Sequence, residues 1–144
     1  MTTPSPLSAD ELALWHAFKH AAEHVRRRVG EEIAQATGLS DPDYGILTRL
    51  DDGAGRLRQQ ELATSMGWHR SRLSHQLTRM ETRGLVQRRD ADGGGVVVRL
   101  TDAGADAVAL ARPVHAAAVR RHLLGRVPPA TREALLALLQ DLAR

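Results

Sequence analysis

The sequence contains no cysteine. That excludes a disulfide framework, a thiol nucleophile and a thiolate metal site. Aromatic residues are almost as scarce, only Trp15, Phe18, Tyr44 and Trp68, so any core must be aliphatic, built from Leu, Val and Ala. There is no run of about 18 apolar residues, the length needed to cross a bilayer. The first residues, Met1-Thr2-Thr3-Pro4-Ser5-Pro6, lack the basic and apolar regions of a secretory signal, so a cytoplasmic location is expected. Neither a nucleophile elbow, a Gly-rich phosphate loop nor an HExxH pair occurs, which argues against an enzyme and leaves no cofactor expected. What remains is a chain of 144 residues, 42% hydrophobic and 26% charged. Such a composition is ordinary for a folded protein of one domain, or of two small lobes that need a partner to bury their faces.

Charge changes sign along the chain. Residues 1–55 hold 5 basic and 9 acidic side chains, residues 56–99 hold 9 and 4, and residues 100–144 hold 6 and 4. The middle is basic through arginine alone, Lys19 being the single lysine. The planar guanidinium suits phosphate oxygens and guanine edges, so an all-arginine middle points toward nucleic acid.

Helical patterns flank that middle. Ser8-Ala9-Asp10-Glu11 has the form of a capping box, and Trp15, Phe18, Ala22, Val25 and Val29 then recur at helical spacing to about Gly38. At Asp41-Pro42 the chain restarts, with Asp41 a candidate cap and Pro42 suited to a first helical position; Tyr44, Leu47 and Leu50 form the buried stripe. The turn-rich Asp51-Asp52-Gly53-Ala54-Gly55 ends that helix. Thr101 is a candidate cap for a long Ala-rich helix running to about Gly125, with Pro113 expected to bend it. After Val127-Pro128-Pro129, a last helix presents Leu135, Leu138, Leu139 and Leu142.

The sharpest signal lies between residues 58 and 100. Gln59–Ser65 reads as a short helix, Met66-Gly67-Trp68 as a turn, and His69–Arg83 as a second helix closed by Gly84. That is a helix-turn-helix. In its second helix Leu73, Leu77 and Met80 share one face. Ser71, His75, Thr78 and Thr82 lie opposite, and Arg72, Arg79 and Arg83 line a flank. Small polar residues allow close approach to base edges, and arginine reaches guanine or phosphate; an ordinary surface helix would carry Glu and Lys on that crest. Leu85–Asp90 and Val96–Leu100, joined by Ala91-Asp92-Gly93-Gly94-Gly95, read as a β-hairpin placed as a wing. Its Arg88, Arg89 and Arg99 stand where phosphates would lie. The expected DNA-binding set is therefore Ser71, Arg72, Ser74, His75, Thr78, Arg79, Arg88, Arg89 and Arg99. Within it Ser71, Arg72 and His75 face base edges, while Arg79, Arg88, Arg89 and Arg99 mainly meet phosphates.

The stretches Glu61-Leu62-Ala63, Arg72-Leu73 through Arg79-Met80-Glu81, Gly84-Leu85-Val86 with Arg88, and Leu100-Thr101-Asp102-Ala103-Gly104, in this order and spacing, resemble the MarR family of bacterial transcriptional regulators. The resemblance covers nearly the whole chain. It implies a mainly α fold with a small β-hairpin wing: a winged helix-turn-helix at residues 41–100, and a helical dimerisation region at 1–40 and 101–144. It further implies a homodimer binding double-stranded DNA at a pseudo-palindromic operator, commonly as a repressor released by a small aromatic or anionic effector. One departure concerns the wing tip, where Gly94 stands at the place the family commonly fills with arginine. Direct readout by the tip is therefore expected to be weak.

Trp15, His16, Lys19 and His20 are the candidate effector-binding residues, an aromatic face beside groups that can meet an anion. A competing reading is metal sensing: His16, His20 and His24 share one helical face with Glu23 beside them, and His115 and His122 lie on the late helix. Chance spacing of histidines accounts for these as well, so no metal ligand is assigned. A winged helix used only for protein contacts is the other alternative. Salt-dependent binding to random duplex DNA separates it from a DNA-binding protein.

Overall fold

The computed structural model describes residues 4–144. The first helix, α1 (Ala9–Thr37), opens with the expected capping box. The Ser8 amide donates to Glu11 Oε2 at 2.7 Å, and the Glu11 amide donates to Ser8 Oγ at 3.2 Å. Its early turns are exposed throughout, and burial begins only at Val29 and Ile33. Gly38, at φ +74°, takes the left-handed conformation that lets the chain leave the helix.

The next helix, α2 (Asp41–Asp52), is capped differently from the expectation. Ser40, not Asp41, is the N-cap: its Oγ accepts from the Asp43 amide at 3.1 Å, while the Ser40 amide donates to Asp43 Oδ2 at 2.9 Å. Ser40 wins because its partner at the third helical position can return the bond, leaving Asp41 to favour the positive end of the helix dipole. Tyr44, Ile46, Leu47 and Leu50 are buried, as the spacing requires.

A strand that the sequence did not announce follows, β1 (Arg56–Arg58). Then come α3 (Gln59–Met66), α4 (Arg70–Thr82), β2 (Val86–Asp90), β3 (Val96–Leu100) and α5 (Asp102–His122). The wing is thus a three-stranded antiparallel sheet in the order β1-β3-β2, with Arg56 opposite Arg99, Leu57 opposite Val98 and Arg88 opposite Val98. Thr101 caps α5, its Oγ1 accepting from the Gly104 amide at 3.0 Å and donating to the Gly84 carbonyl at 2.6 Å. Gly104 itself presses on the Leu85 carbonyl, where any Cβ would collide. Pro113 lies within α5, which ends at His122, short of Gly125, because a 3-10 turn (Leu124–Arg126) intervenes before α6 (Pro129–Leu142).

The described chain divides into two compact units: the chain ends, up to Val29 and from Ala117 onward, and Gly30–Ala116. The core of the second is aliphatic, with Ile33, Leu39, Ile46, Leu47, Leu50, Leu62, Leu73, Leu77, Met80 and Val98 fully buried. In the first unit, Leu12, Trp15, Phe18, Leu136, Leu138, Leu139 and Leu142 all stand exposed. No described helix is long and apolar enough to cross a membrane.

Candidate nucleic-acid interface

The helix-turn-helix is built by α3, a left-handed Gly67 (φ +66°) and α4. The Gly67 and Trp68 amides return to the Thr64 and Ala63 carbonyls at 3.1 and 3.0 Å, closing the turn. Leu73, Leu77 and Met80 are wholly buried and fix the rotation of α4. That rotation leaves Ser71, Arg72, His75, Thr78 and Arg79 exposed and Ser74 half-buried. The one acid on the outer side of α4 next to the wing, Glu81, is matched by Arg88 (Nε to Oε1, 2.7 Å).

Two polar networks hold α4 from opposite sides. On one side stands Asp43, almost fully buried. Its Oδ1 accepts from Gln76 Nε2 at 2.7 Å and its Oδ2 from Arg83 Nη1 at 2.6 Å. Arg83 also donates to the Gly38 carbonyl at 3.1 Å, and Gln76 Oε1 accepts from Arg79 Nη2 at 2.5 Å. The N-terminus of α2 is thereby joined through Gln76 to Arg79. On the other side Arg88, projecting from the inner face of the sheet, donates to Glu81, to Ser74 Oγ at 3.2 Å and to Thr78 Oγ1 at 2.7 Å. Its donors are committed to α4.

Side chains alternate across a sheet. Leu57, Val98 and Arg88 therefore share the inner face, and Arg56, Arg58, Arg89 and Arg99 the outer one. These four arginines line a 480 Å³ cleft with Leu57, Glu61, Asp90, Ala91, Asp92 and Val97. Arg58 Nη1 donates to the Gly94 carbonyl at 3.0 Å, tying the wing tip to β1. Gly93, Gly94 and Gly95 all have positive φ. Of the expected set, Ser71, Arg72, Ser74, His75, Thr78 and Arg79 lie together on α4, Arg88 is drawn against them, and Arg89 and Arg99 occupy the far face of the sheet.

Sequence reasoning missed Arg56 and Arg58, because three residues of Arg-Leu-Arg carry no strand signal beyond their alternation. It also missed Asp43 and Gln76, whose burial has no signature in hydrophobic spacing, and Trp68, over which the Arg72 guanidinium lies.

The candidate effector residues are on the exposed part of α1. Trp15 and Phe18 stack at 6.3 Å between centroids, and Lys19 Nζ lies 5.4 Å from the Trp15 ring centre. His16 and His20 are exposed beside them. His20 stacks on His24 at 6.1 Å, but among the described residues no three His, Cys, Asp or Glu side chains are grouped to hold a metal ion. His115, on α5, stacks on Tyr44 at 4.7 Å. Burial, reinforced by the Arg112 charge and opposed by Asp41, holds this imidazole below its ordinary value.

The MarR family model matches residues 37–95, from the end of α1 to the wing tip. No curated protein matches the chain in sequence. Among solved structures, AbsC, a MarR family transcriptional regulator from Streptomyces coelicolor, is 31% identical, with 97% of this chain and 96% of that one covered and a TM-score of 0.90. Sco3205, a MarR family regulator from the same organism solved in complex with DNA, is 30% identical over 98% of this chain and 90% of that one, at a TM-score of 0.91. The transcriptional repressor CouR, bound to a 23-mer duplex, is 28% identical over 97% of this chain and 100% of that one, at a TM-score of 0.82; it has also been solved with p-coumaroyl-CoA. With such identity sustained over the whole fold, and with the recognition helix and wing in place, the chain belongs to the MarR family of DNA-binding transcriptional regulators.

Proposed function

We propose that the protein is a homodimeric repressor that reads a pseudo-palindromic operator and is released by a small aromatic or anionic effector. The observation that carries the dimer is the exposure of Leu12, Trp15 and Phe18 on α1 together with Leu136, Leu138, Leu139 and Leu142 on α6. Seven large apolar side chains exposed on the two chain ends are a surface that a second copy would cover. The helical ends, residues 1–40 and 101–144, then serve as the dimerisation region around the winged helix-turn-helix. Two α4 helices related by a two-fold axis would enter successive major grooves about 34 Å apart.

In this reading Ser71, Arg72 and His75 meet base edges, with Ser74 and Thr78 beside them. Arg79, Arg89 and Arg99 meet phosphates, joined by Arg56 and Arg58. Arg88 acts indirectly, by fixing the wing against α4. Effector control is supported by CouR, solved with both DNA and an aromatic acyl-CoA. In this chain, Trp15 with Lys19 and the neighbouring His16 and His20 offers a stacking surface beside cationic groups. A ligand there can act only by favouring one spacing of the recognition helices over another.

The test is capture of genomic duplex fragments by the purified protein, followed by sedimentation of the complex and titration with aromatic acids and their CoA thioesters. A dimer on each selected fragment, released by at least one such anion, is expected. A monomer on DNA, or no release across the panel, contradicts the dimer or the effector reading respectively.

A further inference from the structure

The two arginines that flank the crest of α4 are held in chemically different ways. Arg79 is held by its edge, an N–H donating to Gln76 Oε1. Arg72 is held by an aromatic ring: its guanidinium carbon lies 3.9 Å from the centroid of the Trp68 ring. That is stacking distance, well inside the roughly 6 Å over which a cation and an aromatic ring attract. Arg72 is exposed and makes no hydrogen bond or ion pair among the described residues, so the stack is what fixes it. The Trp68 backbone is fixed, since its amide bonds the Ala63 carbonyl at 3.0 Å just after the left-handed Gly67, and its side chain is half-buried.

The difference matters because bidentate recognition of guanine uses the N–H edge of the guanidinium, whereas stacking uses only its face. An arginine held by a ring keeps its whole reading edge open while its rotamer freedom is already reduced, so less ordering remains to oppose binding. Arg72 also sits in the first turn of α4, the part of a recognition helix that approaches base edges.

We propose that Trp68, in the turn, is a positioning residue that sets base preference by holding Arg72 with its N–H edge toward the major groove. This rests on the DNA-binding reading of α4.

The experiment measures affinity for one genome-selected duplex, its single-base-pair variants and a random duplex. The proteins are wild type, Trp68→Leu, Trp68→Tyr, Arg72→Ala and the Trp68→Leu/Arg72→Ala double variant. Trp68→Leu is expected to reduce discrimination about three- to fivefold, the scale of an exposed cation–π contact, only at the base pair whose identity ceases to matter in Arg72→Ala. The salt slope should stay the same, Trp68→Tyr should recover most of the discrimination, and the double variant should match Arg72→Ala. Equal weakening on selected and random duplexes, or additive losses in the double variant, overturns the proposal while leaving DNA binding intact. Absence of any selective binding by the wild type overturns the underlying reading instead. Should Trp68→Leu fail to fold, Trp68→Tyr and Trp68→Phe carry the test: graded losses confined to the Arg72 base pair support positioning, and losses spread over all positions refute it.

Discussion

Asp43 should be the polar residue on which the recognition helix most depends. Replacing it by alanine removes the acceptor for three donors: the Ser40 amide, Gln76 Nε2 and Arg83 Nη1. Gln76, only 7% exposed, is orphaned in protein surroundings, whereas Ser40 is exposed, so its amide turns to water and the reciprocal cap bond is what is lost. The orphaned buried donor costs about 1–3 kcal/mol and the lost cap bond about 1 kcal/mol. Arg83, with 43% of its side chain exposed, turns to water and adds little. Allowing for water entering the vacated space, the loss is about 3 kcal/mol, or roughly 10 °C in Tm for a chain of this size. Asp43→Asn keeps the volume and one acceptor oxygen, and should lose about half as much. Far-UV melts at one fixed protein concentration measure this, because the stability of the proposed dimer would depend on concentration. Asp51→Ala is the control. It breaks a surface pair with Arg112, two side chains each at least 40% exposed, and should shift Tm by no more than about 2 °C. An Asp43→Ala protein that melts with the control would refute the reasoning, showing the network to be neutral.

Three further outcomes follow from the same geometry. Arg88→Ala should lower stability and affinity together without changing the salt slope, since its donors go to Glu81, Ser74 and Thr78; Arg89→Ala should reduce the slope by about one, as for one phosphate contact. At Gly94 an added Cβ meets no atom within 4 Å but the residue sits at φ +97°, so Gly94→Arg should cost about 1 kcal/mol or more in stability while steepening the salt dependence of binding by about one; an unchanged slope would place the tip away from DNA. His115 binds fewer protons folded than unfolded, so stability should be full above its ordinary value of 6.5 and fall as pH drops through and below it. His115→Gln should flatten that part of the Tm-against-pH curve, and identical curves would show that burial does not disfavour the charged ring.

The elements that organise the DNA-binding unit were legible because each carries a local signal. Gly67 and Gly84 take the positive φ that their places in the pattern require, and Leu73, Leu77 and Met80 are buried as their spacing demands. The hairpin from Val86 to Leu100 follows from two β-prone runs about a glycine tip. What escaped depends on residues distant in sequence. β1 exists because β3 offers an edge, not because Arg-Leu-Arg prefers to extend, and with β1 came two more arginines on the outer face. Asp43 and Gln76 lie 33 positions apart, and nothing in either neighbourhood announces that one satisfies the other. Arg88 was legible as a basic residue on the wing, but its alternation toward Val98 and α4, not outward, depends on the register. The cap of α2 was misplaced by one residue because Ser40 and Asp41 are both good caps, and only the reciprocal bond from Asp43 decides between them.

The central claim is that two copies of α4 read one operator through successive major grooves. Hydroxyl-radical footprinting of a genome-selected duplex, with the number of bound chains determined on the same sample, tests it most directly. Two chains per duplex are expected, with two equivalent protected half-sites centred about one helical turn apart, roughly 34 Å, and related by a dyad in the sequence. A single asymmetric footprint occupied by one chain, or protection that ignores sequence, would contradict the account.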